Sequence, residues 1–264
     1  MAMKTINGIQ LYVEGKGEGE PILLIHGNGG NASQMSHAIE WLSRAYQTIA
    51  YDCRGHGRSE KPASYTLEDH IQDGLGLLNE LGIERAHVIG VSGGGYIAQG
   101  LALAEPSRIG KLILVVTKAH GLKSSLQEFS ERHADELKSL TEPDRGAFFM
   151  ERVFASGFAQ KVSPELQKQL LSPEPVMTME ETAAANQAFQ GFDFRSLLPS
   201  IQTPTLIISG KYDGLNPPAY GQEISSLIPD SIFVEMENSG HAPSAEEPER
   251  FKELVLGFLK ERLG

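Results

Sequence analysis

Gly90-Val91-Ser92-Gly93-Gly94 constrains the fold of this chain more than any other stretch. It has the pattern G-x-S-x-G. Ahead of it, Ala86-His87-Val88-Ile89 reads as an apolar strand, and behind it Tyr96–Ala104 reads as a helix. A serine on a sharp turn between strand and helix is held in a strained backbone that pushes its Oγ into solvent. Glycines at 90 and 94 let strand and helix pack closely around that turn. The start of the helix aims free N–H groups at the place where negative charge would develop. A glycine-rich turn with an incidental serine would carry the same five letters, so the weight of the motif depends on the rest of the chain.

The rest alternates short apolar runs with helical patterns. Asn7-Gly8 between Thr5-Ile6 and Ile9–Val13 is a hairpin signal. Ile22–Ile25, Thr48–Tyr51, Leu112–Val116, Thr205–Ser209 and Ile232–Val234 read as further strands. Helical spacing runs through Met35, Ile39, Leu42 and Tyr46. Thr66-Leu67-Glu68-Asp69 reads as a capping box opening a helix with Ile71, Leu75, Leu78 and Leu81 on one face. Further helices are expected near Tyr220–Leu227 and over Phe251–Leu263. A hairpin followed by this alternation predicts an α/β fold with a mostly parallel sheet covered on both faces. Between Gly121 and Arg195 the pattern breaks. No strand-like run occurs there, and prolines at 143, 164, 173 and 175 interrupt a helical segment holding eight of the eleven phenylalanines. Such an excursion reads as a cap over the carboxyl edge of the sheet, where open α/β sheets place ligands.

A serine nucleophile is weak at neutral pH and needs a base, and the base needs an orienting carboxylate. Asp213 follows the strand Thr205–Ser209 by a short loop, and His241 follows the strand at Ile232–Val234 within Asn238–Pro243. Ser92, Asp213 and His241 thus stand at the ends of three strands, in the chain order of a nucleophile-elbow hydrolase. Taken singly, Asp213 is a turn aspartate before glycine and His241 an exposed loop histidine. The tetrahedral intermediate needs two N–H donors. Gly93, after the serine, and Asn28, in the loop His26-Gly27-Asn28-Gly29-Gly30, are the candidates for this oxyanion hole. His26 reads as an anchor for that loop.

These motifs resemble those of the α/β-hydrolase family across essentially the full chain. His26–Gly29 is similar to the family's oxyanion loop, and Asp52-Cys53-Arg54-Gly55-His56-Gly57-Arg58-Ser59 matches its D-x-R-G-x-G-x-S turn. Ser92, Asp213 and His241 occupy its nucleophile, acid and base positions. The resemblance is strongest to the capped esterase, lactonase and cofactor-free perhydrolase branch, which includes 3-oxoadipate enol-lactonases. It implies a central sheet of about eight strands, a core of residues 1–120 and 196–264, a helical cap at 121–195, and hydrolysis of an ester or lactone. No metal or organic cofactor is implied. Some relatives carry the acid after the strand preceding the cap, but that place here reads Thr117-Lys118-Ala119-His120.

Two other readings compete. Gly27-Asn28-Gly29-Gly30-Asn31-Ala32 fits G-x-G-x-x-A, with Asp52 twenty residues beyond Ala32 where a ribose-binding acid would sit. That dinucleotide reading leaves Ser92 and His241 without a role. A small-molecule receptor that keeps the triad but turns over little is the second. Arg54–Ser59 reads as a structural turn and Cys53 as a small buried filler.

Composition narrows the partners. A net charge of −11 and the absence of basic runs argue against nucleic acid and anionic membranes. One cysteine cannot form an internal disulfide. Met1–Gln10 lacks an apolar signal core and the longest apolar runs are too short to span a bilayer, so a cytoplasmic location is expected. Asn31-Ala32-Ser33 is a formal glycosylation sequon that needs secretion to matter. The phenylalanines of the cap, with Met150, Met177 and Met179, predict a mainly apolar pocket and a neutral, compact substrate. A carboxylate-bearing substrate would instead need a cation, for which the cap offers Arg132, Arg145, Arg152 and Arg195.

Overall fold

The apolar runs become the buried middle of one sheet. In a computed structural model, which describes residues 1–171 and 173–260, the strands are β1 (Ala2–Ile6), β2 (Ile9–Lys16), β3 (Glu20–Ile25), β4 (Tyr46–Tyr51), β5 (Ala86–Val91), β6 (Ile109–Val115), β7 (Thr205–Gly210) and β8 (Ser231–Met236). Their order is β1-β2-β4-β3-β5-β6-β7-β8. The β1–β2 and β2–β4 pairs are antiparallel, and every later pair is parallel. Asn7 and Gly8 both take positive φ (48° and 82°) in the β1–β2 hairpin, as a two-residue primed turn requires.

Continuous rather than alternating apolar character is what a strand covered on both faces needs. In β6, Leu112 and Leu114 pack into one layer while Ile113 and Val115 pack into the other. The first layer is closed by α2 (Leu67–Glu80), α3 (Gly93–Ala104) and α10 (Pro218–Leu227), the second by α1 (Ser36–Leu42) and α12 (Pro248–Lys260).

The helix expected through Tyr46 ends earlier. Asn31 caps a 3-10 turn at Ala32–Met35, α1 follows, and Tyr46 opens β4 instead. Tyr46 still packs in the same apolar layer as Trp41 and Leu42, which is why its spacing imitated a helix. The capping box of α2 is formed: Asp69 N–H donates to Thr66 Oγ1 (3.2 Å), and Thr66 N–H donates to Asp69 Oδ2 (2.9 Å). The last helix starts at Pro248, and the expected positions 261–263 lie outside the described residues.

Between β6 and β7 lie six helices among the described residues: α4 (Ser125–Arg132), α5 (Ala134–Ser139), α6 (Glu142–Val153), α7 (Phe158–Lys161), α8 (Pro164–Leu171) and α9 (Met179–Ala188). They carry an apolar cluster of their own around Phe129, Phe148, Phe154 and Phe158. The two ends of this insertion meet, with Gly121 N–H donating to Phe192 O (2.8 Å) and Phe194 N–H to Ala119 O (2.9 Å). α11 (Pro243–Glu246) precedes α12. No described helix is long and apolar enough to cross a membrane.

Candidate active site

Ser92 sits between β5 and α3 with φ 51° and ψ −116°, a conformation that costs a non-glycine residue of order 1–3 kcal/mol and persists only where the surroundings enforce it. They do so sterically. A Cβ on Gly90 would collide with the Gly94 carbonyl and stand 2.7 Å from Ala98 Cβ. A Cβ on Gly94 would collide with the carbonyls of Ile25 and His26. The bend is also tied to β6: Ser92 N–H donates to Val115 O (2.8 Å) and Thr117 Oγ1 donates to Ser92 O (2.8 Å).

Opposite the bend runs the loop after β3. A Cβ on Gly93 would stand 2.9 Å from the Asn28 nitrogen, so the two backbone N–H groups proposed as oxyanion donors are neighbours. Neither has a hydrogen-bond partner among the described residues. Buried His26 anchors this loop. Its Nδ1–H donates to Gly27 O (2.7 Å), and its Nε2 accepts from Cys53 N–H (2.9 Å), a pairing that suits a neutral ring whose pKa is lowered by burial. The Asn28 side chain is held between His56 Nε2 (3.1 Å) and Asn186 of α9 (2.7 Å).

Asp213 and His241 arrive from the ends of β7 and β8. Asp213 is buried, and its Oδ1 accepts from the N–H groups of Leu215 and Asn216 (2.9 Å each). Its Oδ2 lies 2.8 Å from His241 Nδ1. A carboxylate can only accept, so Nδ1 carries the proton and Nε2 is left as the acceptor. That nitrogen stands 3.2 Å from Ser92 Oγ. The structure therefore brings Ser92, His241 and Asp213 into one hydrogen-bonded line.

The His241 loop is gripped by a carboxylate that sequence reasoning did not single out as a support. Glu246 accepts from the N–H groups on both sides of His241, Gly240 (2.9 Å) and Ala242 (3.0 Å), and from Ala155 in the insertion (2.7 Å). Burial raises its pKa despite those three bonds. Both carboxylate oxygens face backbone N–H groups rather than the imidazole, so Glu246 holds the loop and Asp213 orients the ring.

Two cavities meet at Ser92, His241, Asn28, Phe154 and Leu170. One, about 150 Å³, lies against the sheet with Met35, Ala38, Ile89 and Phe251 in its wall. The other, about 360 Å³, lies under the insertion with Tyr96, Ser125, Phe149, Asn186 and Phe189. The second is mainly apolar, as expected, with Phe149, Phe154 and Phe189 in its wall, while Phe129, Phe148 and Phe158 are spent on the insertion's own core. Tyr96 had a legible signal, four residues after Ser92 and hence on the same helix face. Glu246 had a local one, lying five residues after His241, whereas Asn186 had none, since only the fold brings it to the site. Arg132, Arg145, Arg152 and Arg195 line neither cavity.

The residues of the dinucleotide alternative have other partners. Asp52 is buried, accepting from Ala32 N–H (2.8 Å), Arg58 N–H (2.7 Å) and the Arg58 guanidinium (2.8 Å). Arg54 forks onto Asp73 (2.7 and 2.8 Å), so the turn at 52–59 is structural. Cys53 is buried, and burial raises its thiol pKa, which leaves it a filler. Lys118, where some relatives carry an acid, is buried and donates to Glu128 Oε2 (2.8 Å).

The model of a family described as alpha/beta hydrolase fold matches residues 20–248. A protein of Azorhizobium caulinodans provisionally named a carbamate hydrolase is 34% identical, over 95% of each chain. A 2-hydroxy-6-oxononadienedioate/2-hydroxy-6-oxononatrienedioate hydrolase of Pseudomonas putida is 32% identical, over 96% of this chain and 92% of its own. Among solved structures, the enol-lactonase from Burkholderia xenovorans LB400 superposes with a TM-score of 0.84 at 29% identity, covering 98% of this chain and all of its own.

Proposed function

Because the chain belongs to the alpha/beta hydrolase fold family, we propose that it is a serine hydrolase that cleaves a carboxylic ester or lactone, with residues 121–195 acting as a cap on a core of residues 1–120 and 196–264. The single observation that carries this reading is the line Asp213–His241–Ser92, at 2.8 and 3.2 Å, beside two backbone N–H groups that have no partner among the described residues.

His241 Nε2 takes the Ser92 hydroxyl proton as Oγ bonds to the substrate carbonyl carbon. The carbonyl π pair moves onto oxygen, where the N–H groups of Asn28 and Gly93 bind it. Preorganised donors of this kind contribute roughly 3–4 kcal/mol each to lowering a barrier. Asp213 keeps the imidazole in the Nδ1–H tautomer and stabilises the imidazolium. Collapse expels the alkoxide, which takes the proton from Nε2. In a lactone that alkoxide stays attached to the acyl group. Water, deprotonated by the same Nε2, then attacks the acyl-enzyme and releases the carboxylic acid and free Ser92. The strained elbow supports this sequence by holding Oγ where His241 and the N–H pair converge.

The relatives support hydrolysis at a carbonyl carbon more firmly than any one bond, since their names span a carbamate, a dioate and an enol-lactone. Steady-state hydrolysis of a panel of short aryl esters and small lactones by the wild-type protein and Ser92→Ala tests the reading. Turnover that disappears in the variant is expected. Wild-type turnover no faster than background would favour a receptor, and near-normal turnover by Ser92→Ala would exclude the mechanism.

A further inference from the structure

We infer that the larger cavity takes a neutral substrate arm bearing a hydrogen-bond acceptor, such as a ketone or amide carbonyl, and disfavours a carboxylate there. The inference rests on Ser92 being the nucleophile and names the substrate class that this site would select.

Its basis is the kind of polar group that the wall offers. Tyr96 comes one helical turn after Ser92, its ring fixed edge-on to Phe189 (5.6 Å between centroids). Its hydroxyl is 3.4 Å from Ser125 Oγ. Ser125 Oγ itself donates to Asn216 Oδ1 at 2.6 Å, and an amide oxygen can only accept. The phenol proton is thus left with one long contact inside the cavity that Tyr96 lines. Burial pushes the Tyr96 pKa up to about 12, so the phenol remains a donor. On the facing side, Asn186 Oδ1 accepts from Asn28 Nδ2 (2.7 Å), while the Asn186 amide NH2 has no partner among the described residues. Both groups are neutral donors: the buried phenol has only the long Ser125 contact, and the Asn186 amide is exposed, where a substrate acceptor would replace water.

Two cations, Lys118 and Lys123, line this cavity, and each is already paired with a glutamate. Lys118 Nζ donates to Glu128 Oε2 and to Lys123 O, 2.8 Å each, and Glu128 also accepts the Tyr220 hydroxyl (2.8 Å). Lys123 pairs with Glu131 at 2.5 Å. The insertion's arginines bind elsewhere: Arg132 to Gly214 O, Arg145 to Glu142, Arg152 to Glu136 and Arg195 to Asp193. An entering carboxylate would lose its hydration where both lining cations are already paired with glutamates, a cost that burial makes large. A carbonyl oxygen loses far less and gains the phenol and amide protons. The smaller cavity, walled by Met35, Ala38, Ile89 and Phe251, suits an apolar arm.

The test is a matched set of esters with one leaving group and one chain length, ending in a methyl ketone, the corresponding methylene compound or a carboxylate. Their kcat/KM values are measured for wild type and Tyr96→Phe. In the wild type the ketone should exceed the methylene ester by about three- to ten-fold, the range that one neutral hydrogen bond carries. The carboxylate should fall at least about ten-fold below the ketone. In Tyr96→Phe the ketone-to-methylene ratio should drop toward one. A wild-type enzyme that prefers the carboxylate overturns the inference, whatever the variant does, as does a ratio unmoved by Tyr96→Phe. Ser92→Ala run on the methylene ester separates the two levels. Its continued hydrolysis would sink the nucleophile assignment, while the wild-type ratios would still report on the cavity.

Discussion

Asp213→Asn exposes the logic of the site because the structure dictates how the new amide must sit. Asp213 Oδ1 accepts two backbone N–H groups, from Leu215 and Asn216, at 2.9 Å each. An NH2 cannot face two donors, so the asparagine oxygen must keep that position. Its nitrogen then replaces Oδ2 and faces His241 Nδ1 across 2.8 Å. Donor now opposes donor, and the imidazole relieves the clash by moving its proton to Nε2. That nitrogen, 3.2 Å from Ser92 Oγ, can no longer accept the hydroxyl proton. For triads of this kind the wrong tautomer lowers kcat by about 10³–10⁴-fold, or about 4–5.5 kcal/mol in the barrier. The fold keeps both backbone bonds and loses only part of their charge assistance, about 1 kcal/mol, which shifts the melting temperature of a chain this size by about 2–4 °C. Aryl-ester kinetics and thermal unfolding on the same preparation measure both quantities. A variant within ten-fold of wild type in kcat would mean that another group orients His241. A loss of ten degrees or more would mean that Asp213 is chiefly structural.

Other perturbations follow from the same geometry. Glu246→Gln cannot accept all three N–H groups that hold the His241 loop, so kcat should fall about ten-fold with KM little changed, and a kcat within two-fold of wild type would refute the clasp. Gly94→Ala forces a methyl group against the Ile25 and His26 carbonyls and should cost at least about 2 kcal/mol in urea unfolding. His26, His56 and His70 are buried with pKa values held below the ordinary imidazole range, chiefly by loss of hydration, and His56 falls to about 3. Below pH 6.5 the unfolded chain binds protons that the folded chain refuses, so stability should fall as pH falls, by up to about 1.4 kcal/mol per pH unit for each histidine. His70 stacks on Phe189, and His70→Phe should flatten that slope by about one proton, whereas an unchanged slope in urea titrations at pH 7.5, 6 and 5 would place the proton uptake elsewhere.

Much of this fold was legible because its signals are local. Asn7-Gly8 needs two positive φ angles, Thr66 and Asp69 need only each other, and the elbow glycines are demanded by contacts within one strand-turn-helix unit. The order of Ser92, Asp213 and His241 was readable because each follows an apolar run that becomes a buried strand. What the sequence hid depends on distance along the chain. Tyr46 imitated a helix position because strand and helix bury into the same layer. Asn186 reaches Asn28 across 158 positions, and Ala155 reaches Glu246 across 91. The arginines singled out as anion receptors proved to be occupied, which no spacing rule reports because their partners are fixed by helix packing. Which phenylalanines line the larger cavity was hidden for the same reason: composition counts phenylalanines but does not say which of them form the insertion's core.

The most direct measurement is covalent. A fluorophosphonate, which phosphonylates an activated serine with loss of fluoride, should add one probe mass per chain, and peptide mapping should place it on Ser92. Labelling should vanish in Ser92→Ala and slow markedly in Asp213→Asn. An adduct on another residue, or ester hydrolysis that survives quantitative labelling of Ser92, would contradict a mechanism built on Ser92, His241 and Asp213.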